Sequence, residues 1–264
     1  MSARPVQALF DLKGRTALVT GGSRGLGLQI AHALGEAGAK VMVSSRKADA
    51  LADAVSRLRS NGIDADWIAA DCASEEDTGR LADEALARTG AIDILVNNAG
   101  TGWLAPAEDH PVGAWDRVMN LNVRGYFMLA QKLARDCMIP RRRGRIINIA
   151  SIAGLNGNPP ERQTIAYNTS KSAVVGFTRT LAAEWGRYGI TVNAICPGIF
   201  VTAMAAGMIK QVGEAALAAR VPLGQLGDEE DLKGIALLYA SDAGKHITGQ
   251  CVAVDGGMSA VLRG

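Results

Sequence analysis

The chain has 264 residues, of which 48% are hydrophobic and 20% charged, and its acidic and basic residues nearly cancel to leave +2. That composition suits a soluble globular protein and offers no global field for nucleic acid or a membrane surface. Four scattered cysteines (Cys72, Cys137, Cys196, Cys251) and three distant histidines (His32, His110, His246) give neither a disulfide framework nor a metal cluster. Free thiols in a reducing cytosol fit better, so a cytoplasmic protein is expected.

Residues 1–11 lack the long apolar core of a signal peptide and read as a loosely held lead-in. No run of about eighteen apolar residues occurs, so no membrane span is expected. "RTALVT" at 15–20 is a short strand that runs into glycines, and "GLGLQIAHALGEAG" continues with helical spacing to Gly38. "AKVMVSS" is a second strand, 48–60 an amphipathic helix, "ADWIAA" a third strand and 74–89 a helix. "IDILVNN" is a fourth strand, 112–138 a long helix, "GRIINIA" at 144–150 a strand and 165–187 a second long helix. "ITVNAIC" at 190–196, a helical stretch near 228–241 and "QCVAVDGG" complete the chain.

Seven apolar strands separated by helices imply a doubly wound α/β fold of the Rossmann type. Its sheet would be parallel, with helices on both faces, in a single domain over 12–264. Ligands of such sheets bind outside the carboxyl ends of the strands. Two loops leave from those ends, 151–164 and 197–227, and both are candidate walls for a substrate.

The first strand enters "TGGSRGLG" at 20–27. A strand, a glycine turn and a helix N-terminus make an anion site, because backbone N–H groups and the helix dipole both face the ligand. Gly21, Ser23, Arg24, Gly25, Leu26 and Gly27 are therefore candidates for holding a dinucleotide, with an ordinary tight turn as the competing reading. The stretch Ser44, Ser45, Arg46, Lys47, where an NAD-binding chain usually carries an acid, has none. Arg46, helped by Arg24 and Ser45, points to the 2′-phosphate of NADP(H); two solvated surface arginines are the alternative. Asp71 and Cys72 end the third strand, where Asp71 could accept from an adenine amino group or cap a helix, a role Ser74 fits better. "NNAG" contributes Asn98, Ala99 and Gly100 beside the cofactor, or forms a plain turn.

Together, "TGGSRGLG", "NNAG", Asn122 in "NLNVRG", Ser151, "YNTSK" at 167–171 and "CPG" at 196–198 resemble the classical short-chain dehydrogenases/reductases. The motifs occur in the family order across about residues 12 to 258. The resemblance implies a catalytic tetrad of Asn122, Ser151, Tyr167 and Lys171 and a homotetramer. The long helices 112–138 and 165–187 are the expected subunit contacts of that tetramer, or of a dimer. It further implies that Asn122 interrupts its helix and holds a water, and that Lys171 binds the nicotinamide ribose. It places Pro197, Gly198, Ile199 and Thr202 against the nicotinamide, although Thr202 could instead cap a helix. Ser151 precedes Tyr167 by sixteen positions, more than is common in the family, through "LNGNPPERQT".

Tyr167 and Lys171 are four apart on one helix and so share a face. A free phenol has a pKa of about 10, and a nearby ammonium, helped by the charge on oxidised nicotinamide, would lower it enough for proton exchange with a ketone oxygen. Ser151 would donate to that oxygen. The expected activity is an NADP(H)-dependent interconversion of a ketone and a secondary alcohol. The overall sequence looks most like 3-oxoacyl-(acyl-carrier-protein) reductases or gluconate 5-dehydrogenases. A non-catalytic NADP(H)-sensing protein is the alternative. Arg162 is a candidate anchor for a substrate carboxylate. The cluster Arg141, Arg142, Arg143 either docks an acidic carrier or solvates a helix end, and Trp103 and Trp115 either line a pocket or pack.

Overall fold

The computed structural model describes residues 4–261. Its strands are β1 (Thr16–Thr20), β2 (Lys40–Ser45), β3 (Ala65–Ala69), β4 (Ile94–Asn97), β5 (Gly144–Ile149), β6 (Ile190–Pro197) and β7 (Cys251–Val254). They form one sheet in the order β3-β2-β1-β4-β5-β6-β7, and every pairing is parallel. The central strands are buried on both sides, which is why they read as unbroken apolar runs.

The helices are α1 (Val6–Leu9), α2 (Gly25–Glu36), α3 (Ala48–Ser60), α4 (Glu75–Thr89), α5 (Val112–Met119), α6 (Gly125–Leu133), α7 (Ile165–Trp185), α8 (Ala206–Val212), α9 (Glu214–Ala218) and α10 (Lys233–Ala240). Side chains alternate along each strand, so the sheet feeds two cores. Ala17 and Val19 of β1 pack with Ile30 and Leu34 of α2, Leu51 and Val55 of α3, and Ala236 and Tyr239 of α10. Leu18 joins Leu81 and Ala85 of α4, Leu129 and Leu133 of α6, and Leu181 of α7 on the other face.

Local signals set several ends. The Ser74 hydroxyl accepts from the Asp77 amide at 3.3 Å and caps α4, whose first turn carries Glu75, Glu76 and Asp77. Gly90, at φ +74, ends the same helix. The helical stretch expected from residue 228 begins later, at Lys233. Asp228 accepts from the Glu230 amide and Asp231 from the Asp228 amide, so local side-chain turns replace the first helical turn.

The long helix over 112–138 contains two π-turns, Asn120–Arg124 between α5 and α6 and Ala134–Met138 after α6. The expected interruption at Asn122 is therefore present. Segment 197–227, expected as a loop, folds two short helices, α8 and α9. They pack on a small apolar cluster of their own, Ile199, Leu217, Val221, Leu226 and Met258. In the amino-terminal segment expected as a loose lead-in, Val6–Leu9 form one helical turn and Arg4 pairs with Asp242. Among the described residues no helix is long and apolar enough to cross a membrane, and no metal-binding group of acidic, histidine or cysteine residues occurs.

Candidate active site

The strand order reverses at β1, which pairs with both β2 and β4. The crevice beyond their carboxyl ends is the switch point of a doubly wound sheet. The glycine loop crosses it. Gly21 (φ +64) and Gly25 (φ +54) adopt left-handed backbone that a side chain would strain. A Cβ at Gly21 would lie 2.7 Å from Asn98 Nδ2, and one at Gly27 would collide with the Gly21 carbonyl and the same amide. The loop therefore closes onto the end of β4 through backbone alone.

Asn98 makes that closure. Its Nδ2 donates to the carbonyls of Thr20 (2.9 Å) and Gly21 (3.1 Å). The Thr20 hydroxyl accepts from the amides of Asn98 and Ala99 at 3.0 and 3.1 Å. The side-chain amide of Asn98 thus clamps the loop, a role that Thr20 shares and that no sequence pattern announced. No side chain caps α2, so the N–H groups of its first turn remain available to an anion. The Ser45 hydroxyl is buried without a protein partner at the end of β2. Arg24 and Arg46 are exposed and have no ion-pair partner among the described residues. These features fit a phosphorylated dinucleotide.

Beyond the ends of β2 and β3, Arg46, Ala69, Ala70, Asp71 and Asp77 line a shallow pocket. Asp71 Oδ1 accepts from the Ala73 amide at 3.0 Å; the helix cap is Ser74, as expected. Cys72 is buried, and burial pushes its thiol up to about 12, so it is an inert packing residue at neutral pH. Beyond the end of β6, a Cβ at Gly198 would lie 2.7 Å from Asp255 Cβ. The Ile199 carbonyl accepts from Gly227, and the Thr202 side chain lies over Gly25. Thr202 does not cap α8, whose N-cap is Ala205.

The four residues of the expected tetrad converge beside this crevice. Ser151 follows β5, is buried, and accepts from the Ala153 amide at 3.1 Å. Lys171 is 3% exposed; its Nζ donates to the Ile149 carbonyl at 2.7 Å and lies 5.7 Å from the Tyr167 ring centroid. Asn122 is fully buried in the first π-turn. Its Oδ1 accepts from the Thr101 amide, and its Nδ2 donates to the Thr101 carbonyl and to Ser170 Oγ, each at 2.9 Å. Ser170 in turn donates to the Tyr167 carbonyl at 2.7 Å. The Asn122 side chain thus ties the turn carrying Tyr167 to the loop after β4. It forms no hydrogen bond with Lys171.

Burial sets the electrostatics of the pair in the chain alone. Burial raises the Tyr167 phenol above its ordinary value, and the Ser151 hydroxyl and the Arg162 charge pull it only partly back. Burial also lowers Lys171 to about 8, with a smaller opposing push from Cys196. An amine of that pKa releases its proton before a raised phenol titrates. In the chain alone, burial thus opposes the charged form of both groups. Sequence spacing places the pair on one face but carries no information on this desolvation.

The Arg141–Arg143 cluster lies at the opposite end of the sheet. Arg141 bonds Asp93, just ahead of β4, at 2.9 Å, and Arg142 donates to the Arg187 carbonyl at 2.6 Å. A carrier docked there would be remote from the tetrad. Trp103 is exposed beside the tetrad, whereas Trp115 is half-buried in α5.

A profile of the short chain dehydrogenases matches residues 15–213. The chain belongs to the short chain dehydrogenase family. This dehydrogenase is 42% identical over 253 residues to the rhamnolipids biosynthesis 3-oxoacyl-(acyl-carrier-protein) reductase of Pseudomonas aeruginosa, covering 94% of this chain and 97% of that one. It is 38% identical over 256 residues to the gluconate 5-dehydrogenase of Gluconobacter oxydans, covering 96% and 98% of the two chains. Among solved structures it is similar to a gluconate 5-dehydrogenase from Burkholderia cenocepacia in complex with NADP and tartrate. That similarity has a TM-score of 0.92 and 37% identity, over 98% of this chain and all of the other. The dehydrogenase is an enzyme acting on CH–OH groups with a nicotinamide dinucleotide.

Proposed function

We propose that the enzyme interconverts a ketone and a secondary alcohol with NADP(H), as a 3-oxoacyl-(acyl-carrier-protein) reductase-like or gluconate 5-dehydrogenase-like protein. The observation that carries this reading is the convergence of Ser151, Tyr167, Lys171 and Asn122 at the carboxyl ends of the strands, beside the glycine loop. Bound NADPH supplies the hydride. The Tyr167 phenol gives the proton to the carbonyl oxygen, and the Ser151 hydroxyl donates to the same oxygen as negative charge develops. Lys171 holds positive charge beneath the Tyr167 ring. Asn122 and Ser170 are positioning residues, because they fix the turn that carries Tyr167. Ketone-dependent loss of NADPH absorbance that disappears in Tyr167→Phe is the test of this reading. Turnover that persists in that variant contradicts it.

NADP(H) over NAD(H) is supported by Arg24 and Arg46, by the unpartnered Ser45 hydroxyl and by the lack of a carboxylate at the end of β2. Arg46→Asp removes a guanidinium and adds a like charge opposite a 2′-phosphate. NADPH affinity is expected to fall by about ten- to a hundredfold, with NADH affinity nearly unchanged. Fluorescence titration of both cofactors checks this, and equal losses would contradict it.

A further inference from the structure

The walls of the cleft bear on what flanks the reacting carbonyl. On one side, Gly102 lies against the Tyr167 ring, where a Cβ would be 3.4 Å from Cδ2. Trp103 and Leu104 follow directly, and Ala105 bridges to Thr164, which brings this segment beside Ile165. Leu155 stands one short turn after Ser151, where Gly154 packs on the Lys171 backbone. Trp103, Leu155 and Ile165 are each about two-fifths exposed, and Leu104 is 73% exposed. On the other side, Val201 and Met204 leave β6 at 53% and 66% exposed. Between them, Thr202 touches the glycine loop. Met208, Ile209 and Val212 of α8 join the cluster that includes Ile152, the residue after Ser151. Two apolar walls therefore begin at the proposed reacting group.

Two polar side chains of the longer loop, Asn158 and Thr164, are engaged with Asn168 of α7. Asn158 donates to Thr164 (2.8 Å) and to Asn168 (3.0 Å), Thr164 donates to Asn168 (2.8 Å), and Asn168 donates to the Asn156 carbonyl (3.3 Å). Ser172 donates to the Gly154 carbonyl at 3.0 Å. These bonds pin the loop to the first turn of α7. An unpaired hydroxyl moved out of water costs free energy, whereas an alkyl chain gains from the same surface. The loop's charges, Glu161 and Arg162, sit near its tip; Arg162 acts on Tyr167 through its field and is compatible with an anionic group distal to the ketone.

We propose that the cleft takes a ketone bearing an unbranched alkyl arm, which lies between Trp103, Leu104, Leu155 and Ile165 on one wall and Val201 and Met204 on the other. This rests on the ketone-reducing reading above. It makes Leu104 and Met204 specificity-determining residues.

The test is the rate of NADPH-dependent reduction of unbranched methyl ketones of four to ten carbons, beside 5-ketogluconate. The expected result is a rise in kcat/KM of about two- to fourfold per methylene over the shorter members, and 5-ketogluconate well below the ten-carbon ketone. Leu104→Asn and Met204→Asn should each lower the ten-carbon value by about tenfold relative to the four-carbon value. A flat series, which would also follow if a second copy of the chain covered these walls, overturns the proposal, as does a preference for 5-ketogluconate. A second readout needs no turnover: the ten-carbon secondary alcohol should change tryptophan emission in the wild type, and the change should be lost in Trp103→Phe. An alcohol that leaves the wild-type emission unchanged also overturns the proposal. Absence of turnover with every ketone, while the emission change is retained, would instead overturn the ketone-reducing reading and leave the alkyl site standing.

Discussion

Tyr167→Phe is expected to lower kcat for ketone reduction by about 10²–10⁴-fold, the range that positioned proton transfer supplies. NADPH affinity should stay within about twofold, because the phenol contributes to the charge change on the carbonyl oxygen and little to binding of the ground state. The variant is a clean one. It keeps the ring that packs against Gly102 and the backbone carbonyl that accepts from Ser170. The lost atom is the hydroxyl coupled to Ser151. Rapid-quench or stopped-flow kinetics separates the chemical step from release, and a variant within tenfold of wild type would remove Tyr167 from the role of proton donor.

The second large effect concerns Lys171 and pH. Its amine has a pKa of about 8 in the folded chain against an ordinary 10.5. Between those values the unfolded chain holds a proton that the folded chain has released, so stability must rise with pH across that window. The contribution is fully present above 10.5 and is lost as pH falls through about 8. At 1.36 kcal/mol per unit, a shift of this size is worth about 3 kcal/mol. Lys171→Met removes the titration. The difference in unfolding free energy between wild type and variant should therefore move by about 2–3 kcal/mol in favour of wild type from pH 7 to pH 10. Denaturant melts at the two pH values measure it, and a constant difference would mean that the ammonium is not desolvated in the folded chain.

Much of this was legible from residues. The strands announced themselves because a sheet covered on both faces demands runs such as "RTALVT" and "ITVNAIC". The glycine loop and the Tyr167–Lys171 spacing were legible because each is a local geometric requirement. What stayed hidden depends on contacts distant in sequence. The side chain of Asn98 clamps Thr20 and Gly21, some 78 positions away, a contact that no local pattern encodes. The Asn122 side chain bridges Thr101 and Ser170, 21 and 48 positions away, a link that no local pattern encodes. Helices α8 and α9 were missed because each is short, and no α8 side chain is fully buried. In the chain alone, burial, which no spacing encodes, outweighs the neighbouring groups that lower the Tyr167 phenol.

That balance sharpens the central claim. Burial alone makes Tyr167 a poorer acid and Lys171 a weaker base, so the pair needs an additional positive charge to favour the phenolate. The oxidised nicotinamide carries one. The most direct measurement is a titration of the Tyr167 phenol by tyrosinate absorbance, taken as the difference between wild type and Tyr167→Phe, with and without NADP. The expected result is a phenol above about 10 in the free enzyme that falls by about two units or more when NADP binds. A phenol that NADP leaves in place would contradict proton transfer through Tyr167.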